Sequence, residues 1–192
     1  MPKLWNETIE AHRSQVHDAI LDTTAALVFE QGLRGVTMSQ IAERTGIGRA
    51  TLYKYFPDVE AILRVWHARQ IGTHISELTR VRQSAGSPGE RLDAVLTAYA
   101  HIAHQTGSHD RQLVKFLHPD ERIVDAQTQL RQMVRQLIEA GADTGELRND
   151  IAPDELANYC LHALSAAAEL TTSKAIDRLV AITVSGLRPE SR

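Results

Sequence analysis

The residues with the most chemical content lie in a short run, Arg49-Ala50-Thr51-Leu52-Tyr53-Lys54-Tyr55-Phe56. Read as a helix, the run has two unlike faces. Leu52 and Phe56 are four apart, so they stack on one side and bury. Ala50, Tyr53 and Lys54 fall on the opposite side, flanked by Arg49, Thr51 and Tyr55. That outer face is small, hydroxylated, aromatic and basic. An arginine can fork onto guanine, and Thr or Ala can touch the thymine methyl. Tyr, Thr and Lys can hold phosphates. The chemistry on offer is recognition of double-stranded DNA. The plain alternative is the solvated face of a small helical hairpin.

Other reactive side chains form weaker patterns. Of nine histidines, His101 and His104 stand three apart, a spacing that can place two ligands on one helix face. His118 and His162 could join them in space. No Cys cluster or HExxH motif accompanies them, so no metal site is expected. His109 and His118 read as loop or cap residues. Ser, His and acidic residues occur without a Gly-x-Ser-x-Gly elbow, so no catalytic residue is assigned. The single cysteine, Cys160, lies beside Tyr159, Leu161 and Leu164 and reads as a buried, inert thiol. Gly86-Ser87-Pro88-Gly89 is a turn, not a phosphate-cradling loop, and no cofactor is expected.

The run needs a support, and the preceding residues supply one. Thr37 can cap a helix, with Gln40 three residues later completing a capping box. Ile41 and Ala42 point inward. Gly46 suits the left-handed residue that ends a helix. A second helix then follows over about 48–56. Two short helices joined by a tight turn are the pattern of a helix-turn-helix, whose second helix enters the major groove. Ser39, Tyr53 and Tyr55 are candidate phosphate contacts, as is the tail around Lys3, His12 and Arg13.

A wider set of residues carries a family resemblance. Ile20-Leu21-Asp22, Leu27-Val28-Phe29-Glu30-Gln31-Gly32, Val36-Thr37, Ile41-Ala42, Gly46-Ile47-Gly48 and Thr51-Leu52-Tyr53-Lys54-Tyr55-Phe56 resemble the N-terminal domain of the TetR family of repressors. The likeness spans roughly residues 16–66. It implies three N-terminal helices that bind DNA, a connecting fourth helix, and a variable helical domain that dimerises and binds a small effector. Thr37, Ser39, Arg49, Ala50, Thr51, Tyr53, Lys54 and Tyr55 are the DNA-binding residues this reading selects. A weaker likeness, Gly145-Glu146-Leu147-Arg148 followed by Ile151-Ala152-Pro153-Asp154-Glu155-Leu156-Ala157, resembles the start of the family's eighth helix. One departure stands out. Members often carry a Lys at the start of the fourth helix, where it contacts phosphate, and this chain has Val59 there, within Pro57-Asp58-Val59-Glu60. Asp58 can cap that helix instead.

Composition bounds the rest. The chain has 192 residues, 43% of them hydrophobic, and a net charge of −3. Residues 34–56 hold Arg34, Arg44, Arg49 and Lys54 against Glu43, so a basic head sits on an acidic body. One cysteine allows no internal disulfide, which fits a reducing cytoplasm. No apolar run approaches the ~18 residues that span a bilayer, and no signal peptide is evident, so no membrane partner is expected.

Every periodic segment is helical, which predicts an all-α chain of about nine helices. Val16, Ile20, Thr24, Leu27 and Val28 mark the first. Val59, Ile62, Leu63, Trp66, Ile71, Ile75 and Leu78 mark a long fourth helix from 58 to about 83. Ser87, Pro88 and Glu90 start the next with a second capping box. Helices are expected over about 110–117, 120–140, 153–171 and 173–187. Two domains follow, 1–57 with the tail and reading head, and 58–192 for effector binding and dimerisation. The last two helices carry small and apolar residues on more than one face and are expected to form a homodimer. A largely apolar effector pocket is expected among the preceding helices, lined by Trp66, Leu96, Tyr99, Phe116, Met133, Leu137 and His162.

Overall fold

Apolar residues at helical spacing fold the chain into eight α-helices among the residues described by the computed structural model, 3–107 and 121–189. The helices are α1 (Lys3–Gln31), α2 (Met38–Thr45), α3 (Arg49–Tyr55), α4 (Val59–Arg82), α5 (Pro88–Thr106), α6 (Glu121–Asp143), α7 (Pro153–Ser165) and α8 (Ser173–Ser185). One 3₁₀ turn, Leu33–Gly35, links α1 to α2, and another, Ala166–Glu169, follows α7. The expected helix over 110–117, with Phe116, His109 and His118, lies outside the described residues. None of the described helices is long and apolar enough to cross a membrane.

The chain divides into two compact units, 1–70 and 71–192. The division falls inside α4, whereas the expected boundary stood before it. The reason is the core of the first unit. Ile20, Leu21 and Leu27 of α1, Ile41 and Ala42 of α2, and Leu52 and Phe56 around α3 bury together with Ile62 of α4. Val59, Val65 and Trp66 pack against the same cluster. The opening turns of α4 are therefore structural parts of the head.

The second unit is organised around α5. Leu92, Val95, Leu96 and Ala100 of α5 are buried with Met133, Val134, Leu137 and Ile138 of α6. Leu156, Ala157, Cys160 and Leu164 of α7, and Ile176 and Val180 of α8, close the same core. Burying each Leu or Ile of this kind contributes about 1.5–3 kcal/mol. The start of α5 is doubly capped. Ser87 and Glu90 form the expected capping box, with Pro88 at the first helical position. The Ser87 hydroxyl also donates to Glu146 Oε2 (2.5 Å), and so does the Gly89 amide (3.1 Å). These bonds, the one from Ser87 foremost, hold the Glu146 carboxyl below its ordinary pKa.

The helix expected over 153–171 does not run through. After Ser165 the backbone tightens into the 3₁₀ turn at Ala166–Glu169. Small residues let this turn press onto the end of α5. Ala167 is fully buried, and the His104 ring N–H reaches the Ala167 carbonyl at 3.3 Å. A Cβ on Gly107 would lie 2.7 Å from the Ala168 backbone. Gly107→Ala is therefore expected to destabilise the protein by about 1–3 kcal/mol. Urea unfolding followed by circular dichroism measures this difference.

Candidate nucleic-acid interface

The reading head is built from helices too short to stand alone. α2 has eight residues and α3 seven. Isolated helices of this length are not stable in water. Local and tertiary bonds hold them. Thr37 Oγ1 accepts from the Gln40 amide (3.4 Å), and the Thr37 amide donates to Gln40 Oε1 (2.8 Å), which completes the expected capping box. The Thr37 hydroxyl donates to the same Gln40 oxygen at 2.8 Å. Gly46 adopts the left-handed conformation (φ 73°). The chain reverses there, with the Ile47 amide donating to the Ala42 carbonyl at 3.0 Å. Asp58 caps α4 by accepting from the Ala61 amide at 2.8 Å.

Three tertiary contacts brace this hairpin, and none of them is readable from the sequence. Arg44 of α2 grips Glu30 of α1 through two bonds, at 2.5 and 2.7 Å. The Arg44 hydrogen bond holds the Glu30 carboxyl below its ordinary pKa. Gln40 Nε2 donates to Gln31 Oε1 at 3.0 Å, tying the same two helices. His17 of α1 stacks on Phe56, with ring centroids 5.1 Å apart. Between α4 and α1, Arg69 binds Asp18 and Asp22. The Glu30 contact changes the local charge. Arg44 counts among the four cations of 34–56, but Glu30, outside that window, neutralises it.

The candidate residues divide by exposure. Leu52 is fully buried and Phe56 is 5% exposed, as the two-faced reading requires. Arg49, Ala50, Thr51, Tyr53 and Lys54 are exposed together on α3. Neither Arg49 nor Lys54 has an ion-pair partner among the described residues. Tyr55 is half-buried and packs against the core of the head. Thr37 is exposed at the start of α2, and Ser39 is half-buried beside it. At the start of α4, Arg64 engages Glu60 at 2.6 Å, so one of the two acids there carries its own counter-ion.

The effector candidates are not all brought together. Leu96, Met133 and Leu137 share the core of the second unit, and Tyr99 packs against it. Burial raises the Tyr99 pKa, which keeps its phenol a neutral hydrogen-bonding group. Trp66 belongs to the first unit, where its ring meets Phe29 edge-on at 5.9 Å. His162 is exposed on α7. Phe116 lies outside the described residues. His101 and His104 turn to separate partners, His101 towards Asp177 (3.7 Å) and His104 towards the Ala167 carbonyl.

A short helix with an outward cationic face, set by a tight turn on a three-helix support, defines a helix-turn-helix DNA-binding head. Comparison with known proteins agrees. The model described as "Bacterial regulatory proteins, tetR family" matches residues 20–65. The model described as "Transcriptional regulator SbtR-like, C-terminal domain" matches residues 92–189, about half of the chain. The transcriptional repressor KstR2 of Rhodococcus jostii is 28% identical over 138 residues, covering 69% of this chain and 68% of the relative. Several other curated relatives match over less than half of their own length. A TetR/AcrR-family regulator from Thermobifida fusca superposes with a TM-score of 0.78 at 19% identity, covering 90% of this chain and 98% of that one. The regulator AibR, solved with isovaleryl coenzyme A and operator DNA, superposes with a TM-score of 0.63 at 19% identity, covering 90% and 98%. The chain belongs to the TetR family of bacterial transcriptional regulators.

Cys160 offers a check on the second unit. It is fully buried, and burial pushes its thiol up to about 12. The raised value means that the native state keeps its proton where the unfolded thiol has lost it. For this group stability is independent of pH below the unfolded thiol's ordinary pKa and falls as the pH rises from there towards 12. A thiol reagent at pH 8 is expected to leave the native protein unmodified and to label one site per chain after denaturation, as counted by mass spectrometry.

Proposed function

We propose that the chain is a ligand-responsive repressor that binds a near-palindromic operator and leaves it when a small effector binds the second domain. The observation that carries this reading is the shared exposure of Arg49, Ala50, Thr51, Tyr53 and Lys54 on α3, opposite a buried Leu52. In the major groove, Arg49 would reach base edges, and Ala50 and Thr51 would meet thymine methyls. Tyr53, Lys54 and Tyr55 would hold phosphates, with Thr37 and Ser39 on the adjoining strand. In this reading residues 1–57 carry the DNA-reading function and 58–192 the response, with the opening turns of α4 packed into the core of the head. Release requires that the effector bind the two conformers with different affinity. AibR, a neighbour of the same fold, was solved with both isovaleryl coenzyme A and operator DNA, which supports a reading with two kinds of partner.

The effector in this reading is largely apolar. Leu96, Met133 and Leu137 would supply apolar surface and Tyr99 a polar contact. Trp66, Phe116 and His162 remain proposed lining residues, to be tested one by one. The homodimer would form through α7 and α8, on which Tyr159 is 46% and Ile182 66% exposed. These are large apolar groups left open on helices whose other faces are already packed. The protein acts in the cytoplasm and uses no cofactor.

A second class of function, a helical ligand carrier or enzyme without DNA affinity, is separated by one measurement. The chain is titrated with duplex DNA from upstream of its own gene, and with a scrambled duplex, at several salt concentrations. The regulator prefers the upstream duplex, and its affinity falls steeply with salt. Equal, weak binding to both would sink the reading. Lys54→Ala is expected to weaken both duplexes and to flatten the salt dependence by about one unit of slope. Tyr55 packs into the head, so Tyr55→Phe, which keeps the ring, isolates its hydroxyl. Ile182→Glu is expected to convert the dimer to monomer, read by sedimentation velocity.

A further inference from the structure

α1 starts well before the head needs it. Burial on this helix begins at Val16, and the side chains from Ile9 to Gln15 are all exposed. His17 marks where the helix passes the recognition element, because its ring stacks on Phe56, the residue that ends α3. Arg13 is four residues earlier, so it lies on the same face, about 6 Å further along. That sets it one helical turn from the contact with Phe56, which caps the end of α3 that carries Lys54. Arg13 is exposed and has no ion-pair partner among the described residues. The carboxylates nearest to it along α1 are Glu10 and Asp18, and Asp18 is engaged by Arg69.

The charge balance of the neighbouring segment gives this position its meaning. The link to α4 reads Pro57-Asp58-Val59-Glu60 and presents no cation. The Asp58 carboxylate caps α4, and that of Glu60 is engaged by Arg64. A duplex lying along α3 therefore finds no positive charge from the start of α4. The α1 face that carries His17 offers one at Arg13, which is exposed.

We propose that Arg13, presented by the N-terminal extension of α1, is a phosphate anchor for duplex DNA on the flank of the recognition helix. The proposal rests on the reading of α3 as the DNA-reading helix. A guanidinium can fork onto two phosphate oxygens, which fixes register as well as adding charge. Such a contact carries no base information, so it strengthens binding to any sequence. It also gives the exposed turns of α1 a role, since a helix end without tertiary contact is marginal until something orders it.

The test uses the full chain, the upstream duplex and a scrambled duplex of equal length, with anisotropy read at several salt concentrations. Arg13→Ala is expected to weaken both duplexes by the same factor. It lowers the slope of log affinity against log salt by about 1. Arg13→Lys keeps the slope and loses part of the affinity. Circular dichroism and the melting temperature stay at the wild-type values in both variants. Unchanged affinity and slope in Arg13→Ala, alongside weakened binding by Lys54→Ala, overturn the anchor and leave the α3 reading standing. An equal fall of slope in Arg13→Lys also overturns it. If the wild-type chain binds neither duplex, the α3 reading fails and the anchor falls with it.

Discussion

The head depends on the burial of Leu52 and Ile41 against Ile20 and Leu21 of α1. α2 and α3 are each shorter than the length at which a helix holds in water. Their backbone hydrogen bonds form because their apolar sides are removed from solvent together. One exposed face follows from one buried face, since side chains four apart share a side. The outward set on α3 is thus a consequence of the inward pair Leu52 and Phe56. A polar residue at Leu52 would remove the surface on which Arg49 and Lys54 are displayed, without touching either.

The same logic gives α1 two functions along its length. From Val16 onward it is a buttress, carrying the core residues and the Glu30 clamp on Arg44. Before Val16 it carries no buried residue among those whose side chains are described. The two stretches belong to one continuous helix of 29 residues, so the orientation of the first is set by the packing of the second.

What could be read from the sequence was local. The boxes at Thr37–Gln40 and Ser87–Glu90, the left-handed Gly46 and the Asp58 cap all rest on residues within three positions of each other, and all are present. What could not be read depended on distant partners. Glu30 and Arg44 are 14 residues apart, and no pattern in the chain links them. Between Trp5 and Val16 the only large apolar side chain is that of Ile9, so the first turns of α1 read as a tail. The apolar stripe of α4 runs on without a break in the sequence, although Ile62 and Trp66 serve the first unit and Leu78 the second. Helix periodicity says that a face is buried, not against what. The 3₁₀ turn at Ala166–Glu169 was hidden for a similar reason, because it answers to Gly107, a residue far away in sequence. In the second likeness, at 145–157, the side chains turn out to hold the fold together. Glu146 caps α5, and Arg148 binds Asp150 and donates to the Gly186 carbonyl at 3.2 Å.

The box at Thr37 has a consequence for how the head could meet a polyanion. A hydroxyl has one proton and two lone pairs, and a phosphate oxygen can only accept. In the unbound head the Thr37 proton is directed at Gln40 Oε1, which already receives the Thr37 amide. That oxygen is doubly served, so the hydroxyl proton is the redundant one. It can rotate outward to an incoming oxygen while the lone pair keeps the Gln40 amide and the Thr37 amide keeps the Gln40 side chain. The corner of α2 can thus exchange one internal bond for an external one and remain capped throughout.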